Sequence, residues 1–131
     1  PVITNAANTS LRPDFSILIY PVISFTDSLT HMGSRNNLVG KKPSAEAIKE
    51  YSNEMQVTPQ TPITFLVHAG DDATVPTGNS IAYYQALLKN KVAAELHLYE
   101  KGGHGFGLHN KKTPDEWTER LKNWMQVNKQ L

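Results

Sequence analysis

The sequence predicts an α/β domain built on about three parallel strands with flanking helices. Three observations carry that expectation. Two short, nearly continuous apolar runs, Phe15 to Ile23 and Ile63 to His68, suit strands covered on both faces, as in a parallel sheet. Stretches with helical spacing lie between them and beyond, so strands and helices alternate as right-handed crossovers require. The length of 131 residues suits one domain rather than two.

In chain order, PVITNAANTS and the two residues after it (1–12) are polar and read as a linker or loop. FSILIYPVI forms the first strand, and Pro21 marks where ladder pairing fails on one side. Residues 24–43, SFTDSLTHMGSRNNLVGKKP, show no sustained period and read as a long excursion, a kind of segment that tends to be functional or mobile. Ser44 is placed to cap a helix whose Ile48, Tyr51 and Met55 share one face. Two prolines between Gln56 and Pro62 end it. After the strand ITFLVH, Asn79 or Ser80 caps a helix with Ile81, Tyr84, Leu87 and Leu88 along one side. AAELHLYE, Ala93 to Glu100, is the third strand, and the glycine-dense KGGHGFG follows it. Thr113, Pro114 and Glu116 have the pattern of a capping box ahead of a last helix with Trp117, Leu121, Trp124 and Met125 as its buried stripe.

The totals exclude several function classes. Lys and Arg number 13 against 12 Asp and Glu, a net charge of +1, and no basic patch points to nucleic acid. Cysteine is absent, which removes disulfides, thiolate metal sites and a cysteine nucleophile. No apolar stretch approaches the roughly 20 residues of a membrane span, and the chain opens without the features of a signal peptide. The compartment stays open, with a secreted or periplasmic parent protein as one option.

Ligands of open parallel sheets collect beyond the carboxyl ends of the strands. The two most unusual segments, HAGDDATVP and EKGGHGFG, both leave the sheet at that edge, one crossover apart. Adjacent strands lie about 4.8 Å apart, so side chains of the two loops can meet. An Asp that accepts from one imidazole nitrogen fixes the tautomer and frees the other nitrogen to take a proton. The acid pair, Asp71 and Asp72, and His104 are placed for this; the glycines around His104 let the loop bend closely and leave the ring accessible. Either acid can also be a simple turn former at a strand exit, and Asp71 reads as a turn or cap residue.

These turns, together with SILIYPVISF, HMGSRNNLVG and PSAEAIKEYSNEMQVTPQTPITFLVHAGDDATVP, resemble the back half of an α/β-hydrolase. More narrowly, residues 11 to 127 or so resemble the acetyl esterase and lipase branch, which includes carbohydrate esterases, and are similar to the prolyl-oligopeptidase-like hydrolases. The resemblance implies that Asp72 is the acid and His104 the base of a serine hydrolase that needs no metal or organic cofactor. It implies an acetylated carbohydrate or other small ester as substrate. The family's nucleophile sits in G-x-S-x-G upstream of the acid, and nothing before Asp72 matches. Ser34 in MGSRN has glycine at the wrong offset, and Ser80 in GNSIA follows the acid and is placed to cap a helix. The chain is therefore expected to be a single partial α/β-hydrolase domain, with Pro1 at an internal cut or at the start of a separate piece and the 24–43 excursion near the active-site mouth. The strand at Phe15–Tyr20 would then lack its neighbour and pair with the missing N-terminal half or with a second copy.

Other readings stand beside this one. The same acid and base serve a prolyl-oligopeptidase-like peptidase. A non-catalytic fragment or binding module would use the acid pair only as a turn. A zinc site from His68, Asp71, Asp72 and His104 has suitable ligand types but no tight ligand spacing. His68 reads as a residue that orders backbone, His97 and His109 as structural or solvated, and His31 as a candidate for the substrate mouth. Of Tyr83 and Tyr84, one is expected buried and one at the rim.

Overall fold

The computed structural model describes residues 8–131; the part of the expected N-terminal linker before Asn8 lies outside the described residues. Strands β1 (Phe15–Ile19), β2 (Ile63–Ala69) and β3 (Ala94–Tyr99) form one parallel sheet in the order β1-β2-β3. Ile17 pairs with Phe65 and Phe65 with Glu95, so the three strands end nearly level. The expected α/β class with three parallel strands is thus the observed one.

Because successive side chains of a strand point to opposite faces, the central strand splits the core in two. Phe65 and Val67 face Trp117 and Trp124, with Phe15, Ile17, Ile19, Leu121 and Met125 packed around them. Leu66 faces the other way, onto Leu87 and Val92, with Leu18, Tyr83, Tyr84 and Leu96 around it. The stripe expected on the last helix is therefore the one that covers the sheet. Tyr83 and Tyr84 are both half-buried, not divided between core and rim.

Among the described residues there are four α-helices, α1 (Met32–Val39), α2 (Ala45–Glu50), α3 (Gly78–Lys89) and α4 (Trp117–Val127), of which α3 and α4 pack on the sheet. Helix α1 lies inside the excursion that the sequence presents as aperiodic. It has no apolar stripe to detect, because it is anchored by polar contacts. His31 accepts from the Ser34 N–H as N-cap, and Arg35 donates to the Phe25 carbonyl at 3.1 Å and to Asp27 at 2.7 Å. His31 is thus a helix cap, not a residue shown to line a mouth.

Three helix starts or stops differ from expectation. Ser44 caps α2 through the Ala47 N–H, but the helix ends at Glu50 and Met55 falls in a separate 3-10 turn, so Tyr51 and Met55 are exposed. Helix α3 begins at Gly78, which puts Asn79 and Ser80 inside its first turn and fully buried. Ile81 and Leu88 on that helix are exposed, and Leu87 carries its contact with the sheet. Helix α4 begins at Trp117, not after Thr113. Thr113 instead accepts from the Asp115 N–H, a local turn that competes with helix, and Glu116 binds His109 at 2.6 Å.

Asn79 shows what its position is for. Its Oδ1 accepts from the Ile23 and Ser24 N–H groups at 2.9 Å each, and its Nδ2 donates to the Leu29 and Pro76 carbonyls. One buried side chain thereby ties the segment after β1 to the start of α3 and satisfies four backbone groups that have no ladder partner.

Candidate functional site

The three strand exits converge. At the end of β1 the chain turns sharply at Tyr20, whose φ of 40° is in the left-handed region that a bulky residue seldom adopts. The turn lays the Tyr20 ring edge-on against His104, with centroids 4.6 Å apart, and against Phe106 at 4.9 Å. Its hydroxyl accepts from the Gly107 N–H at 3.2 Å. Tyr20 is not among the site residues that the sequence predicts; its signal there is a large aromatic residue directly before the proline that ends a strand.

At the end of β2, Asp72 is buried, with its side chain fully covered. Its Oδ1 accepts from the Thr74 and Val75 N–H groups at 2.8 and 2.9 Å, closing the turn. Its Oδ2 accepts from His104 Nδ1 at 2.8 Å and from His68 Nε2 at 3.1 Å. Burial pushes the Asp72 carboxyl up, but the Val75 N–H, His104 and the Thr74 N–H together outweigh it and hold the group below its ordinary value. The carboxylate is therefore ionised at neutral pH although it is buried.

At the end of β3, His104 sits in a loop where Gly103, Gly105 and Gly107 all have positive φ. Its side chain remains 32% exposed, so the ring nitrogen not used by Asp72 stands on an accessible imidazole. A cleft of about 430 Å³ lies beside it, lined by His104, Phe106, His109, Lys111 and Lys112 among others. A larger one of about 570 Å³, between the segment after β1 and helix α1, includes neither Asp72 nor His104. Of the two clefts, the smaller one is lined by a member of the Asp72–His104 pair.

Asp71 does more than turn the chain. Its Oδ1 accepts from the Gly102 and Gly103 N–H groups at 2.8 and 2.7 Å, which pins the histidine loop to the acid loop. The Gly103 N–H, the largest contribution, lowers the Asp71 carboxyl from its ordinary value. Gly102 is required by space: a Cβ there would stand 2.9 Å from Asn110 Nδ2 and 3.0 Å from Ala69 Cβ.

The remaining histidines divide clearly. His97 pairs with Glu95 at 2.6 Å and lies near Phe65, and His109, whose side chain is exposed, pairs with Glu116. His68 differs: it is fully buried, binds Asp72, and its Nδ1 meets Ser80 Oγ at 2.8 Å. Ser80 is thus a partner of His68, not a helix cap. Both imidazoles spend a ring nitrogen on the same carboxylate oxygen, Asp72 Oδ2, and not on a position beside it that a zinc ion would fill, which is not the arrangement the zinc reading needs. Among the described residues no group of three or more His, Asp or Glu is disposed to hold a metal ion.

A parallel sheet with helices on both faces, and an Asp and a His paired at neighbouring strand exits, defines part of an α/β-hydrolase sheet. The chain belongs to the prolyl oligopeptidase family, whose sequence profile matches residues 13–130. An acetylxylan esterase of Xylanibacter ruminicola is 36% identical over 129 residues, 95% of this chain and 27% of that protein. An endo-1,4-beta-xylanase B of Butyrivibrio fibrisolvens is 35% identical over 112 residues, 86% of this chain and 18% of that protein. The crystal structure of an acetyl ester-xyloside bifunctional hydrolase from Caldicellulosiruptor lactoaceticus superposes with a TM-score of 0.83 at 39% identity. That match covers 88% of this chain and 43% of that one. The chain therefore spans less than half the length of each of these three relatives.

Proposed function

We propose that these residues supply the acid and base of a serine carboxylic-ester hydrolase acting on acetylated carbohydrate or small esters. One observation carries the reading: the buried Asp72 carboxylate accepts from His104 Nδ1 at 2.8 Å, across two adjacent strand exits. With Nδ1 holding its proton toward Asp72, Nε2 is the basic nitrogen. It takes the proton of a serine hydroxyl as the oxygen attacks the ester carbonyl, and returns it to the departing alcohol. Water then repeats the cycle on the acyl-enzyme, releasing the carboxylic acid and restoring the serine. The buried Asp72 charge stabilises the imidazolium formed in both halves. No G-x-S-x-G occurs in the 131 residues, so the reading takes the serine from outside them and treats residues 1–131 as one partial domain.

The similarity to an acetylxylan esterase and an acetyl ester-xyloside hydrolase supports acetyl groups on plant polysaccharide as the substrate class. The family itself supports a second reading, cleavage of peptides by the same acid and base. Assaying the complete polypeptide in parallel on p-nitrophenyl acetate, acetylated xylan and aminoacyl anilides separates the two. Release of acetate that His104→Ala abolishes is the expected result. Anilide cleavage alone favours the peptidase, and undiminished ester turnover in His104→Ala leaves only a non-catalytic module.

Among the described residues β1 pairs with β2 alone, which leaves its outer edge free. The reading assigns that edge, Phe15–Tyr20, to a strand from the rest of the hydrolase, or to a second copy. Light scattering of the 131-residue chain tests this: a dimer supports the second copy, and a stable monomer that binds no upstream segment counts against both.

A further inference from the structure

His68 makes a fully buried connection behind the acid that the proposed triad does not use. Its Nε2 lies 3.1 Å from Asp72 Oδ2 and 3.1 Å from the Val75 carbonyl oxygen. A carboxylate and a carbonyl can only accept here, so Nε2 carries the proton and shares it between them. Burial, the largest influence, lowers the His68 pKa, which leaves the ring neutral and Nδ1 without a proton. Ser80 Oγ, 2.8 Å from Nδ1 and fully buried, then donates to it. The order of donation runs from Ser80 to His68 to Asp72, and His104 donates to Asp72 from the other side.

Turn closure alone does not require this arrangement, because the Thr74 and Val75 N–H groups already close the turn through Oδ1. Those two bonds leave the carboxylate free to rotate about the line of Oδ1. A second donor on Oδ2 removes that freedom. It also matches two donors to each oxygen, about the number a carboxylate accepts.

We propose that His68 is a positioning residue: its Nε2–H holds Asp72 Oδ2 at the place where His104 Nδ1–H meets it, and Ser80 fixes the tautomer that makes this possible. The inference rests on the proposed esterase reading only for its effect on turnover; the hydrogen-bond order holds without it. Long-range proton–nitrogen spectra of the 131-residue protein at neutral pH read the tautomer directly. The expected result is a neutral His68 protonated on Nε2, and a proton on Nδ1 overturns the proposal.

The functional consequence is tested by three variants of the complete polypeptide. His68→Leu removes the donor at similar volume, and kcat on p-nitrophenyl acetate is expected to fall about 10- to 100-fold with KM within about twofold, the range for losing one hydrogen bond to a charged group. His68→Gln places an amide N–H near the position of Nε2 and is expected to recover most of the rate. Ser80→Ala leaves the tautomer unfixed and is expected to fall between the two. A purely structural His68 lowers the melting temperature in His68→Leu but leaves kcat of the folded fraction unchanged, which overturns the positioning role. Where His68→Leu does not fold, the Ser80→Ala rate and the tautomer decide. If no form turns over ester, the esterase reading has failed and the spectra alone still judge the hydrogen-bond order.

Discussion

Replacing Asp72 by Asn leaves the volume of the site unchanged and alters only what the side chain can accept. The carboxylate takes four hydrogen bonds, two on each oxygen. An amide has one accepting oxygen. If that oxygen stays with Thr74 and Val75, the NH₂ group faces the N–H of His68 and of His104, donor against donor. His104 relieves the clash by moving its proton from Nδ1 to Nε2, and the nitrogen meant to act as base is then blocked. Loss of the base tautomer in a Ser-His-Asp site costs about 10⁴-fold in turnover, and a loss of about 10³- to 10⁴-fold is expected here. Two hydrogen bonds to a charged group, at about 1.5–3 kcal/mol each, are lost, while the cost of burying the charge is relieved. The net destabilisation is about 2–4 kcal/mol, or a fall in melting temperature of roughly 5–15 °C for a domain of this size. Turnover on p-nitrophenyl acetate in the complete polypeptide, thermal melting by circular dichroism and the His104 tautomer by nitrogen NMR are the three measurements. An Asn variant within about threefold of the parent rate, with the His104 proton still on Nδ1, refutes the reasoning.

Gly102→Ala pushes a methyl group into Asn110, Ala69 and Phe106, so a loss of about 1–3 kcal/mol is expected, read as a lower melting temperature. Asp71→Ala removes the bridge between the acid and histidine loops; amide exchange at Gly102 and Gly103 should accelerate and turnover should drop while the fold persists. Acid should weaken the fold in two stages, because both buried groups bind protons less readily folded than unfolded. For His68 the loss begins as pH falls below its ordinary value of 6.5, where the unfolded chain takes a proton that the folded one does not. For Asp72 it begins only below 3.8. Melting temperature should therefore fall between pH 7 and 5, and His68→Gln should flatten that part of the curve.

How far the molecule could be read from its sequence depended on what held each part together. The strands and the stripe of α4 were legible because burial by apolar side chains leaves a period in the sequence; Trp117, Leu121, Trp124 and Met125 lie where that period puts them. Helix α1 was not legible, because it is held by Arg35 on the Phe25 carbonyl and Asp27, contacts that leave no period. The starts of α3 and α4 were misread for a related reason. Asn79 and Ser80 are good capping residues locally, but their polar groups are used by Ile23, Ser24 and His68, and local propensity yields to such tertiary partners. Thr113 is instead taken by a local competitor, the turn it closes with the Asp115 N–H.

The site shows the same division. That Asp72 and His104 would lie close together followed from topology, since adjacent parallel strands deliver their exits to one edge of the sheet. What topology does not supply is the orientation of the two groups, and here the surrounding residues decide. Asp71 fixes the histidine loop through two backbone N–H groups, and Tyr20, just past β1, lies edge-on against both the His104 ring and Phe106. His68 closes on the acid from β2. All three strand exits thus contribute to the centre or to what holds it, and Tyr20 does so only in a backbone conformation that costs energy for a bulky side chain. Such strain persists where the surroundings over-determine it, and the bond from the Tyr20 N–H to the Val67 carbonyl at 2.8 Å, beside the hydroxyl's bond from Gly107, supplies that determination from both ends of the residue.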